Sequence, residues 1–286
     1  MKQITAMHTC NQTHWVGDGF PVRTLFSYST MGEQLSPFLM LDYASPTAFS
    51  PSKQAKGVGS HPHRGFETVT IVFEGELAHK DSAGNGGTIG PGDVQWMTAG
   101  AGILHEEMHS KQFTQQGGML SMAQLWVNLP AQQKMTPPGY QAIQREAIPT
   151  VYLNGNQGTI RVIAGSYAGL TGPAKTYTTM QVLDLRIKKG SVISMPAPHQ
   201  WSTALVILSG QVEIEKTTAG DSSLIVFSHT GEDIEFLALE DTHALMLSGD
   251  PIDEPIAGYG PFVMNTPAEI TQAIADFNAG QFGRLD

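Results

Sequence analysis

Apolar residues along the 286-residue chain gather into short, strand-sized runs broken by Gly, Pro, Asp and Ser. That is the pattern of buried strands joined by turns. "SPFLMLDYASP" reads as a buried strand bounded by prolines, and "TVTIVFEGELAHKDS" as two strand segments around Gly75. "GNGGTIGPGDVQWMTAGAGILHEE" reads as tight turns followed by strands, with Trp96 and Met97 in the core and Asp81, Ser82 and Asn85 in a preceding turn. "GGMLSMAQLWVNLP" is another strand, stopped by Pro130, and "AQQKMTPPGYQAI" reads as a linker. A second series of short strands starts near Val151, among them "TYTTMQVLDLRI", "ALVILSGQVEIE" and "DIEFLALEDTHALMLSG".

Helix character is confined to the end, "TPAEITQAIADFNAGQFG". Thr266 can cap it, Pro267 suits the first helical position, Glu269 sits at capping-box distance, and Gly280 can end it. Ile270 and Ile274, four apart, share one face. The pattern therefore predicts an all-β chain in two consecutive halves, 1–135 and 136–286, the second ending in a short helix. "PHQWSTALVILSGQVEI" echoes "HPHRGFETVTIVFEGEL" in its strand, Gly, strand layout. Two packed sandwiches or jelly rolls follow as the architecture.

Composition narrows the function. The 31 Gly and 17 Pro supply the turns that many short strands need. A net charge of −10 with no basic run speaks against direct binding to nucleic acid or to an anionic membrane. Cys10 is the single cysteine, so no intrachain disulfide forms. The first residues hold no apolar stretch of signal-peptide length, and a cytoplasmic protein is expected.

The chemistry concentrates in two short segments. "SHPHRGFE" places His61 and His63 one residue apart where a strand begins, and "ILHEEMH" places His105 and Glu107 at the same spacing. Alternate strand residues share a face, so each pair points one way, and Glu106 points the other. Three imidazoles and a carboxylate converging inside a barrel make a site for one divalent first-row metal. The stretch from His105 to His109 also spells H-E-x-x-H, a zinc peptidase signature that requires a helix; Gly100 and Gly102 just upstream argue against one. Glu67 reads as a neighbour of the site or a structural residue, and Arg64 as the partner of an acidic group or a surface residue. His79, His199, His229 and His243 lack a second ligand at this spacing, so the second barrel is expected to hold no metal.

"GSHPHRGFETVTIVFEG", "DSAGNGGTIGPGDVQWMTAGAGILHEE" and "YGPFVMNTPAEITQAIADF" resemble the pirin family of the cupin superfamily. The resemblance implies a bicupin, two tandem jelly-roll β-barrels with the metal in the first. It implies His61, His63, His105 and Glu107 as metal ligands, the same four that strand parity selects. It also implies quercetin 2,3-dioxygenase activity, in which oxygen opens the heterocycle of a flavonol and carbon monoxide is released. Glu107 is then the candidate proton acceptor. Fe(II) is the first choice of metal, with Zn, Mn, Co, Ni and Cu also compatible with these ligands. A regulatory protein that binds a protein partner according to its metal state is the alternative that the family offers.

Overall fold

Two β-rich units make up the chain in the computed structural model, which describes residues 1–285. They do not follow a single cut at 135/136. One unit comprises Gln12–Gly32, Leu39–Arg145 and the chain from Ile252 onward; the other comprises Met1–Asn11, Glu33–Phe38 and Glu146–Pro251. The difference comes from long-range pairing at both ends. The strand Ile4–Thr9 pairs antiparallel with Ser223–Phe227, Met7 opposite Ile225, and so joins the unit built mainly from residues 146–251. The terminal helix packs instead with the unit that carries the histidine segments.

Each unit has a seven-stranded and a four-stranded sheet. In the histidine-bearing unit the larger sheet runs Gly139–Ile143, Val94–Thr98, Phe66–Glu74, Gly118–Asn128, Phe38–Phe49, Phe20–Ser27, His14–Val16. The smaller runs Gly57–His63, Ile103–His109, Leu77–Asp81, Gly86–Ile89. In the other unit the main core cluster is apolar. Leu183, Leu185, Leu205, Ile207, Ile225 and Met246 are all fully buried there. One of its histidines is paired with a carboxylate: His243 Nε2 lies 2.8 Å from Asp184 Oδ1.

The expected strands around Gly75 form, and the glycine between them has φ +83° with the Met119 carbonyl where a Cβ would stand. The expected linker does not. Residues 131–143 form a 3₁₀ turn, Ala131–Gln133, and a strand, Gly139–Ile143, paired in full with Val94–Thr98. Lys134 lies between them, buried, and its ammonium donates to Gly65 O, Asn128 Oδ1 and Val263 O at 2.8–2.9 Å. Three acceptors for three protons make it a buried staple rather than a tether.

The terminal helix spans Pro267–Asn278 with Thr266 at its N-cap, as its capping sequence predicts. Glu269 N–H donates to Thr266 Oγ1, and Glu269 Oε2 accepts from the Asn265 N–H and the Thr266 hydroxyl. Its buried face, Ile270 and Ala273 with Ile274, packs on Phe262, Met264, Phe282 and Leu104. Leu104 precedes His105, so the helix backs a strand that carries candidate ligands.

Candidate metal centre

The strands Gly57–His63 and Ile103–His109 pair antiparallel with His105 opposite His61 and Ile103 opposite His63. Partners across a ladder share a face, so all three imidazoles project the same way. Their ring centroids lie 4.2–4.8 Å apart, and one nitrogen from each falls within 4.8 Å of the others. The segment from His105 to His109 is a strand with alternating burial, which excludes the helix that a zinc peptidase motif needs.

Several of these nitrogens have no other use. His61 Nδ1 lies 2.8 Å from the Gly59 carbonyl, which can only accept. Nδ1 therefore carries the proton and Nε2 keeps its lone pair. Both ring nitrogens of His105 and Nδ1 of His63 are buried without a hydrogen-bond partner. Orphans of this kind cost about 1–3 kcal/mol each, and a cation accepting their lone pairs removes much of that cost. Burial, reinforced by neighbouring imidazoles, holds His63 and His105 well below the ordinary histidine range. Both are thus in the neutral form that ligates a metal. The donor set fits a divalent first-row ion.

Glu107 stands beside this triad. It follows His105 on the same face of the strand, past a register irregularity, and lines a small cavity together with His61. Its donor atoms are not among the mutually close set formed by the three histidines. Its carboxylate is caged from the facing sheet. Oε1 accepts from the Thr70 hydroxyl at 2.9 Å and Gln95 Nε2 at 3.2 Å, and Oε2 accepts from Gln124 Nε2 at 2.6 Å. Thr70 pairs with both Gln124 and Gln95 in the ladder, so the three donors form one polar row across three adjacent strands. Glu106, opposite Lys80, points to the other face.

A further pair lies against His105. His79 and Asp81 are both buried on the neighbouring strand, opposite Glu107 and His105 respectively. His79 Nε2 is 3.1 Å from Asp81 Oδ2. Asp81 also accepts from the Ala83 and Asn85 N–H groups, which accounts for its turn-like sequence. Burial opposes ionisation of Asp81, yet the bonds from His79 and Asn85 prevail and lower its pKa. The His79 ring stacks on Tyr140, with centroids 4.9 Å apart, and the Tyr140 hydroxyl donates to Gln95 Oε1. Burial, then the charges of Asp81 and Glu107, push that phenol up to about 12. The H-x-D spacing of His79 and Asp81 obeys the same alternation as the two ligand pairs and was the available signal.

Arg64 and Glu67 separate cleanly. Arg64 is buried; its Nε donates to the Ala101 carbonyl at 2.6 Å, its Nη1 to Asp276 at 2.7 Å, and its guanidinium lies over Phe282. It thereby ties the segment after His63 to the segment before His105 and to the terminal helix. Glu67 pairs with Thr98 on the face of its strand opposite to Thr70, turned away from the histidines. Trp96 and Met97 are fully buried.

The pirin family model matches residues 19–127, and the model of the pirin C-terminal cupin domain matches residues 182–283. A Pseudomonas aeruginosa protein named "Putative quercetin 2,3-dioxygenase" is 50% identical over 284 residues, covering 99% of each chain. Human pirin is 37% identical over 257 residues, with 88% of this chain and 84% of that protein covered. The crystal structure of a quercetin 2,3-dioxygenase from Acinetobacter baumannii superimposes with a TM-score of 0.98 at 52% identity, covering all of both chains.

Proposed function

The chain belongs to the pirin family, with its bicupin fold, and we propose that it is a metal-dependent dioxygenase that opens the heterocycle of a flavonol with release of carbon monoxide. The observation that carries this reading is the set of three facing imidazoles with unpartnered nitrogens beside a caged carboxylate. His61, His63, His105 and Glu107 are the ligands in this reading, and Fe(II) is the metal of first choice. A bound divalent ion supplies Lewis acidity, lowering the pKa of the flavonol 3-hydroxyl.

Glu107 takes that proton, as a ligand that loosens from the ion or as a base beside it. Its Oε1 already accepts two hydrogen bonds and its Oε2 only one, so Oε2 has the lone pair to spare. Thr70, Gln95 and Gln124 hold the carboxylate in one orientation, which removes the cost of ordering it in the transition state. The flavonol anion is electron-rich and reacts with oxygen. Both oxygen atoms enter the ester product as one carbon leaves as carbon monoxide.

The test is oxygen uptake and carbon monoxide release by protein loaded with Fe(II), Mn, Co, Ni, Cu or Zn, using 3-hydroxyflavones. Turnover is expected with a free 3-hydroxyl and none with a flavone lacking it. Metal-replete protein that consumes no oxygen with any 3-hydroxyflavone overturns the reading in favour of a metal-state regulator.

A further inference from the structure

The cavity beside Glu107 is lined by His61, Glu107, Asp42 and Gln124 and by apolar side chains that include Phe20 and Met122. Its volume is about 30 Å³, room for one or two water molecules. It therefore receives the edge of a ligand and not a whole ring system.

An inventory of its polar atoms defines what that edge must be. Both Glu107 oxygens accept from the protein, and His61 Nδ1 is spent on Gly59. Gln124 turns its Nε2 to Glu107 at 2.6 Å, because a carboxylate can only accept. Among the described residues Gln124 Oε1 accepts no hydrogen bond. Asp42 is buried, and its Oδ1 accepts from the Thr24 hydroxyl at 2.6 Å. Among the described residues its Oδ2 has no hydrogen-bond partner. Asp42 thus brings a charged acceptor without a donor to the cavity lining, beside Gln124, whose Oε1 and second amide N–H are also unspent. A ligand edge that brings an O–H satisfies that carboxylate. One that brings a carboxylate, a phosphate or an ether oxygen leaves the Asp42 carboxylate without a further donor and sets lone pairs or a second negative charge against it.

We propose that Asp42, with Gln124, forms a subsite that selects substrates carrying a phenolic hydroxyl in addition to the oxygens at the metal. This rests on the flavonol-opening reading of the site and narrows it to polyhydroxylated aromatics. Burial raises the Asp42 carboxyl while the Thr24 hydroxyl and then His14 pull it back, so the ionised group gains from a further donor.

The experiment compares wild type and Asp42→Asn, both metal-loaded, on 3-hydroxyflavone, on flavonols with added ring hydroxyls, and on their methoxy counterparts. Asn keeps an oxygen for Thr24 while losing the charge. Hydrogen bonds to a charged acceptor are worth about tenfold to a hundredfold in binding. Wild type is expected to favour at least one hydroxylated flavonol over its methoxy counterpart by about tenfold or more in kcat/KM. Asp42→Asn is expected to lose that preference through KM, with 3-hydroxyflavone changed much less than the hydroxylated flavonol. The hydroxyl-against-methoxy comparison in wild type stands even if the variant folds poorly. Turnover with no hydroxyl preference in wild type, or an equal loss on all substrates in the variant, overturns the subsite alone. Absence of flavonol binding and turnover by metal-loaded wild type overturns the functional reading and the subsite together.

Discussion

Replacing Glu67 by Gln is expected to flatten part of the protein's pH dependence of stability without touching the metal. Glu67 is fully buried; Thr98 donates to its Oε1 at 2.7 Å, and the Trp96 indole N–H adds a weaker pull on the carboxylate. Burial outweighs the pull of Thr98 and then Trp96 and raises the carboxyl from 4.5 to about 7. A group whose folded pKa is raised holds more protons in the folded than in the unfolded state across that window. Stability therefore falls as pH rises from 4.5 to 7, by about 1.4 kcal/mol per unit and about 3 kcal/mol in all. Gln does not titrate. It keeps an oxygen for Thr98 and places an amide N–H where Oε2 stood, at a cost of about 1 kcal/mol if unpaired. At pH 8 the variant should be the more stable by roughly 2 kcal/mol, and at pH 4.5 slightly the less stable. Calorimetric melting of both proteins from pH 4.5 to 8 reads this directly. At 2–4 °C per kcal/mol, the difference in Tm between them should shift by roughly 6–12 °C across the range. Acid release of metal affects both proteins alike, because Glu67 faces away from the histidines. Parallel melting profiles would refute the reasoning.

Three further outcomes are expected. Glu107→Gln should abolish turnover or weaken metal binding about 10- to 100-fold, while Glu106→Gln, on the opposite face, should alter either by less than about threefold in the same metal titration; the reverse would mean a different strand register. Lys134→Met leaves Gly65 O, Asn128 Oδ1 and Val263 O unpaired and should cost about 3 kcal/mol or more of stability in denaturant melts, a cost absent only if the ammonium is not the staple. Because His63 and His105 lie well below the ordinary histidine range, bound metal should persist on dialysis down through about pH 6.5 and leave only in stronger acid; half-loss above that pH would contradict the neutral, buried state of these rings.

What the sequence made legible follows from locality. His61, His63 and His105 could be placed on one side because strand alternation is a property of neighbours, and the helix Pro267–Asn278 because its cap and first turn are contiguous. The cage around Glu107 was not legible. Thr70, Gln95 and Gln124 come from three strands, and only the ladder pairing of Thr70 with the other two sets them in a row. Each looks in sequence like a polar interruption of a core strand. Lys134 was lost for a different reason: its flexible-looking, proline-rich setting hides three acceptors, two of which lie 69 and 129 residues away. Order along the chain places the first residues with the first half, whereas Ile4–Thr9 pairs with Ser223–Phe227. Nothing within either segment announces that partnership.

The central claim is one metal ion held by the facing histidines. Metal analysis of wild type and His105→Ala, each reconstituted with Fe(II) under anaerobic conditions and passed through the same desalting step, tests it most directly. The account predicts about one ion per wild-type chain by the single site. It predicts near-complete loss in the variant, with circular dichroism unchanged because both apolar cores remain. A wild type that retains no ion, or a folded His105→Ala that keeps its full complement, would contradict it.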